Sequence, residues 1–303
     1  MRSLILTALL PAALILIPGC KTLELATKAG TAVGVATGQI STDQASSINK
    51  SSTAVGRAFD KLTPQQEYFI GRSVAASILA SYAPYDREAA NRYLNTIGQA
   101  LALASDKPET FGGYHFLIMD TDEVNAFAAP GGLILISRGM LRCCRSEDEV
   151  AAVLAHEIGH VQLEHGLRAI KKSRWTSAFT ILGAETAKSL GGQQLAELTT
   201  AFEGAIGDVT ATMVNSGYAR KLESEADAVA ITILKRVGYN LAALSSMLTE
   251  MGKQLDHDER GFAKTHPAPA DRIADIAPMI GTASEIAVQK QRTARFKHTL
   301  GNI

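Results

Sequence analysis

The chain has 303 residues, 46% hydrophobic and 20% charged, with 30 basic and 30 acidic side chains and a formal net charge of zero. That length can bury a full core, and the charge balance gives no electrostatic case for nucleic acid as a partner. No repeat period is present, so a solenoid or a tetratricopeptide array is not supported within this length.

Met1-Arg2-Ser3 is a short positive region, Leu4 to Ile17 a hydrophobic run, and Ile17-Pro18-Gly19-Cys20 a lipobox-like end in which Pro18 is the unusual member. The run is too short to span a bilayer comfortably. Residues 1–19 are therefore predicted to be a lipoprotein signal peptide, cleaved before Cys20, whose sulfur is then acylated and tethers the protein to a membrane outside the cytoplasm. The alternatives are an uncleaved anchor, or ordinary secretion, for which a small-x-small cleavage site is lacking. Lys21 and Thr22 put no Asp behind the cysteine, which by the sorting rule of enteric bacteria favours the outer membrane. Residues 20–60 read as a lipidated tether, because Ala26 to Ser52 is rich in small and polar residues; a weak helix is the other reading of that spacing.

Thr63-Pro64-Gln65-Gln66 opens a helix that continues through Tyr68, Ile70, Val74 and Ile78 to about Ser81, and a second helix is expected from about Asp86 to Ala104. Tyr114 to Met119 and Leu133 to Ile136 are short apolar runs bounded by Gly, Asp and Ser, the pattern of strands. Asn125 to Gly132 reads as a Gly-rich loop leading into the second strand. A small sheet beside helices is α+β.

Cys143 and Cys144 are adjacent, without ligand spacing, and read as small buried thiols. Ser146-Glu147-Asp148-Glu149 follows as a capping box, and Val150, Val153, Leu154, Ile158 and Val161 recur at helical spacing. Inside that helix lies His156-Glu157-Ile158-Gly159-His160. At about 100° per residue His156, His160 and Glu157 share one arc of about 100°, so two imidazoles can meet one metal with a carboxylate beside it to take a proton from water. His165 falls about 180° from His156 on the same wheel, and His115, His257 and His298 lack ligand spacing.

The connection from Gly166 to Gly217 is long, and its Gly183, Gly191-Gly192, Gly204 and Gly207 divide it into helical pieces expected to pack over the cleft as a lid or plug. The stretch from Trp175 to Leu182 admits a membrane-touching hairpin, but Ser173, Thr176, Ser177 and Thr180 make it too polar for a spanning helix. Beyond it, Glu223 and Asp227 fall on the apolar stripe of a helix with Ala226, Ala230, Ile233 and Leu234, while Glu225 points to the solvated side. A buried acid needs a cation or a metal, so Glu223 is the best third ligand and Asp227 the acceptor for the outer nitrogen of a ligand histidine. The alternative is an ordinary helix whose acids pair with Arg220 or Lys221.

Four motifs occur in one order: Asn125-Ala126-Phe127-Ala128-Ala129-Pro130-Gly131-Gly132, His156 to His160, Arg-x-x-Glu-x-x-Ala-Asp at Arg220 to Asp227, and Thr265-His266-Pro267 with Arg272-Ile273. They cover about half of the chain, and the order resembles the HtpX and CAAX-prenyl-protease group of gluzincin metallopeptidases, nearest to bacterial periplasmic lipoproteins of the LoiP and BepA kind. Ala219 departs from the Ser often found before the Arg. The resemblance implies a mostly helical zincin-type domain over residues 61–280, a C-terminal tail over 281–303, and one Zn²⁺ held by His156, His160 and Glu223 with Glu157 as general base. It implies further that Arg220 and Asp227 support the ligands, and that His266 faces the cleft as an oxyanion stabiliser or a regulatory extra ligand; a helix-entry role is the alternative. Arg272 fits a structural salt bridge with Asp227 or with the site loop better than catalysis. It also implies a substrate-binding edge strand made of Asn125, Gly132, Leu133, Ile134 and Leu135. The expected activity is hydrolysis of unfolded or misassembled envelope proteins, with envelope assembly proteins as further partners. A noncatalytic lipoprotein chaperone using the same cleft is the competing reading, against which Glu157 argues. A prenyl-protein peptidase is disfavoured by the lack of long spanning helices.

Overall fold

The structure is a computed structural model and describes residues 63–169, 203–255, 266, 268–281 and 290–303, with 32, 35–37 and 41–43. The predicted signal peptide, the lipobox at Cys20, nearly all of the tether, and the segment from Trp175 through Gly192 lie outside the described residues. One compact unit, Leu62–Trp175 with Ala196–Ile303, carries every element below; Met1–Lys61 with Thr176–Leu195 forms a second. Among the described residues no helix is long and apolar enough to cross a membrane.

Helix α1 spans Pro64–Leu79 and starts at Thr63, whose side chain accepts from Gln66 N while the Gln66 side chain accepts from Thr63 N. This reciprocal cap, with Pro at the first helical position, fixes the start the sequence announces. Helix α2, Glu88–Leu103, buries Ala90, Leu94, Ile97 and Leu101 at helical spacing. Three strands follow: β1 His115–Met119, β2 Ala126–Ala129 and β3 Leu133–Ser137. They form a mixed sheet in the order β1-β3-β2, parallel between β1 and β3 and antiparallel between β2 and β3. The expected α+β class holds, but β2 is a strand where a loop was read. Gly131 at φ 77° and Gly132 at φ 94° make the reversal that folds it onto β3. Glu67, buried on α1, accepts from Gly131 N and is paired with Lys107, which pins that turn.

A short helix α3, Arg138–Cys143, precedes α4, Glu147–Gln162. Every residue of α4 from Glu147 to Val161 is buried. Val150, Leu154 and Ile158 are fully enclosed, and each contributes about 1.5–3 kcal/mol by leaving water. Ser146 caps α4 by accepting from Glu149 N at 3.2 Å. The Glu149 carboxylate does not close the expected box; it accepts from Arg145 N and Ser246 Oγ. Cys143 and Cys144 are buried, and burial pushes the Cys143 thiol up to about 12.

Helix α5 is the single turn His165–Arg168. Residues 203–211 are helical and run into a π-helical turn, Thr212–Ser216, so Gly204 and Gly207 lie within one helix and divide nothing. Helices α6 Arg220–Val237, α7 Ala242–Leu255, α8 Pro269–Ile280 and α9 Lys290–Leu300 complete the unit. α6 packs along α4, and Gly159 permits the approach: a Cβ there would lie 2.9 Å from Ala226 O. Helix α9 belongs to the domain rather than to a tail, since Phe296 and Leu300 join the main core and Arg292 and Arg295 reach the buried acids at the start of α4.

Candidate metal centre

α4 and α6, with His266 from the segment ahead of α8, bring four buried side chains to one point: His156, His160, Glu223 and His266 each offer a ligand atom, all within 4.8 Å of one another. The Nε2 atoms of His156 and His160 are 3.1 Å apart, and each lies 3.5 Å from a Glu223 oxygen. Ligands at about 2.0–2.1 Å in a tetrahedron stand about 3.3–3.4 Å from each other. The observed separations of 3.1, 3.5 and 3.5 Å lie close to that value, with Glu223 meeting His156 through Oε2 and His160 through Oε1. Two further observations fit a metal: Glu223 Oε1 and Glu157 Oε1 are buried without a hydrogen-bond partner among the described residues, a costly state for a carboxylate.

Both α4 histidines are held from behind. His156 Nδ1 lies 2.8 Å from Asp227 Oδ1, and Asp227 is gripped by Arg272 through Nε to Oδ2 at 3.0 Å and Nη2 to Oδ1 at 2.6 Å. His160 Nδ1 lies 2.8 Å from His165 Nδ1, and the Tyr218 ring stacks on His160 with centroids 4.6 Å apart. His266 Nδ1 lies 2.5 Å from Glu223 Oε2. Electrostatics follow from burial and these neighbours. Burial pushes Glu157 up to about 7, with His156 opposing and Glu223 adding to the rise. Burial would also raise Glu223, but His266 and His160 hold it well below the ordinary carboxylate range. Burial and Arg272 act to lower His156, whereas Asp227 and Glu223 outweigh them and hold it at about 9.

A narrow cavity of about 10 Å³ beside Glu157 is lined by Ala126, Phe127, Ala128, Met213, Gly217, Tyr218 and His266, room for about one water. The sheet edge at this cavity is β2. The expected substrate strand is therefore corrected: Leu133, Ile134 and Leu135 lie on β3, whose two edges are already bonded to β1 and β2. Gly132 is part of the turn, and Asn125 is buried with its N–H on Ser137 Oγ and its carbonyl accepting from Ser137 N. Arg220 is likewise corrected. It is exposed at the first residue of α6 and pairs with Asp271 and Asp275 of α8, because a helical side chain leans toward the N-terminal end, here away from the ligands. The cation behind Asp227 is Arg272.

Sequence reasoning missed Tyr218 and His165. Tyr218 precedes α6 and so fell off the helical wheel, though it stands beside the acidic motif. His165 was placed on the far side of α4, but the helix ends at Gln162 and Glu164, at φ 57°, turns the chain back. Glu225, assigned to solvent, is part-exposed and lies 3.4 Å from His165 Nε2.

A helix bearing His-Glu-x-x-His, a carboxylate from a second helix and a small sheet at the cleft define a metallopeptidase domain. The chain belongs to peptidase family M48, whose model matches residues 88–280. Over 203 residues it is 29% identical to the beta-barrel assembly-enhancing protease of Escherichia coli K12, a match covering 64% of this chain and 41% of that protein. Over 198 residues it is 28% identical to metalloprotease LoiP of the same organism, covering 65% and 73%. It is also 29% identical over 165 residues to the mitochondrial metalloendopeptidase OMA1 of Arabidopsis thaliana, covering 54% and 31%. The chain thus spans about two fifths of the beta-barrel assembly-enhancing proteases it matches.

Proposed function

We propose that the protein is a zinc-dependent endopeptidase of the bacterial cell envelope that cleaves unfolded or misassembled polypeptides. The observation that carries this reading is the convergence of His156 Nε2, His160 Nε2 and the Glu223 carboxylate beside an unpartnered Glu157 oxygen. His156, His160 and Glu223 would hold the zinc. When bound, such an ion supplies Lewis acidity, making water a stronger acid and polarising the peptide carbonyl. Glu157, with a pKa raised to about 7 by burial, accepts the proton of the attacking water near neutral pH and returns it to the leaving amine. Asp227, anchored by Arg272, holds His156 in one tautomer with Nε2 turned to the ligand point. His266, on the Glu223 carboxylate, is read as a member of the ligand group; oxyanion stabilisation requires it to leave that oxygen.

The edge of β2 at Ala126–Ala129, beside the cavity and paired on one side only among the described residues, would receive an extended substrate by backbone hydrogen bonds. Backbone reading suits unfolded chains of varied sequence. The names of the relatives, beta-barrel assembly-enhancing protease and metalloprotease LoiP, support envelope proteins as substrates and assembly factors as partners. The hydrophobic run from Leu4 to Ile17 and the lipobox-like end at Cys20 support a periplasm-facing lipoprotein, probed by labelling with a palmitate analogue in wild type and Cys20→Ala. The activity is tested with Glu157→Gln. The variant should keep one zinc per chain and lose casein cleavage by at least about 100-fold. Undiminished cleavage would refute the general base, and full zinc occupancy without cleavage in the wild type would favour the chaperone reading.

A further inference from the structure

The two ligand histidines differ in what stands behind them. His156 is backed directly by a carboxylate, His160 by another imidazole. A continuous helix would carry His165 about 180° away from His156. The chain instead breaks after Gln162, and Glu164, the sole non-glycine residue with positive φ among those described, adopts a left-handed conformation. That backbone state is uncommon for a residue with a Cβ, and here it brings His165 Nδ1 to 2.8 Å from His160 Nδ1. His165 is fully buried, and its Nε2 lies 3.4 Å from Glu225 Oε2, which also accepts from Arg168 at 3.2 Å.

The proton order in this chain is determined by its two ends. His160 Nε2 faces His156 and Glu223, so a neutral ring that offers its Nε2 lone pair there must carry its proton on Nδ1. His165 Nδ1 must then accept, which leaves the proton of His165 on Nε2, facing the Glu225 carboxylate. Every position has a donor facing an acceptor. Tyr218 closes the remaining face of His160 by stacking, so neither translation nor rotation of that ring is free.

We infer that His165 is a positioning residue for His160: through a Glu225–His165–His160 chain it fixes the tautomer and orientation of one ligand imidazole, as Asp227 does for the other. This rests on the reading of the His156–His160–Glu223 group as a metal site. Outer hydrogen-bond partners of metal-bound histidines change metal affinity by about 10- to 100-fold. A residue that merely filled space would not do so.

The test is metal affinity, measured on metal-free full-length protein by Zn²⁺ titration against a chromophoric chelator, with the Co²⁺ absorption spectrum as a report on ligand geometry. His165→Ala removes the acceptor and should weaken Zn²⁺ by about 10- to 100-fold and shift the Co²⁺ bands. His165→Asn places an amide oxygen near the former Nδ1 and should stay within about threefold of wild type. Ala binding as tightly as wild type with an unchanged Co²⁺ spectrum would overturn the inference, and so would an Asn variant as weak as Ala. If His165→Ala does not fold, Glu225→Ala takes its place: a few-fold loss supports the chain, and wild-type affinity overturns it. A wild type that binds neither ion would sink the metal reading itself, an outcome distinct from a wild type that binds and variants that match it.

Discussion

Arg272→Met is the sharpest perturbation of the site's scaffold, because it removes one charge and keeps an unbranched side chain. The Arg272 and Asp227 side chains are 3% and 1% exposed and share two hydrogen bonds, at 3.0 and 2.6 Å. At about 4 Å between charge centres and an effective dielectric of about 20, their attraction is about 4 kcal/mol. Removing one partner of a buried pair costs about 3–5 kcal/mol, because the other is left charged and dry. His156 still faces Asp227 but shares it with no second donor, so the carboxylate loses its fixed orientation. The expected result is a loss of about 3–5 kcal/mol in urea unfolding of the metal-free protein, seen as a lower midpoint at constant slope, and roughly tenfold weaker Zn²⁺ binding. Arg272→Lys should fall between, since an ammonium cannot reproduce the two-pronged contact. A loss under about 1 kcal/mol with unchanged metal affinity would refute the argument.

Other consequences follow from packing and burial. Gly159→Ala gains about 1 kcal/mol in helix propensity yet sets a methyl 2.9 Å from Ala226 O, so α6 must move; Zn²⁺ affinity should fall, and an unchanged or higher affinity would show that the contact is slack. Arg292 is buried over Tyr239, at 4.1 Å to the ring centroid, and on Asp148 at 3.1 Å, whereas the Arg295 side chain is 54% exposed. Arg292→Ala should therefore cost about 3 kcal/mol and Arg295→Ala about 1 in denaturant unfolding; equal costs would contradict the difference in burial. Cys143, an acid whose pKa rises from 9.0 to about 12 in the fold, keeps its proton more tightly when native. Its contribution thus lowers stability as pH rises above 9.0 toward 12, and neither Cys143 nor Cys144 should react with a thiol reagent at pH 8 before unfolding. Rapid native labelling at either position would count against the burial.

Local signals carried much of the fold. The Thr63 cap, the apolar spacing in α1 and α2 and the runs at β1 and β3 depend on neighbours within a few residues, and the elements lie where those signals put them. The burial of Glu223 and Asp227 was legible because an acid on an apolar stripe stands out on a wheel. What was illegible depended on distant or backbone events. β2 looks like a loop because Ala and one Phe give no alternation, and it becomes a strand through pairing with β3 across two left-handed glycines. His165 was lost because a wheel assumes the helix continues, and Glu164 gives no sequence sign of its left-handed state. The acids Glu147 and Asp148 suggested only a helix dipole, since their partners Tyr239, Arg292 and Arg295 lie 92 to 148 residues further on.

That last separation also orders events in time. The helix that carries His156 and His160 starts with buried acids whose charge is matched only when α9 arrives, and Arg295 follows Glu147 by 148 residues. At roughly 5–20 residues per second a ribosome needs about 7–30 s to make that stretch. Through that interval the start of α4 has no arginine from α9 to stabilise its buried charge, so the acids at the head of the helix that carries His156 and His160 are balanced by those arginines only once the chain is made through α9.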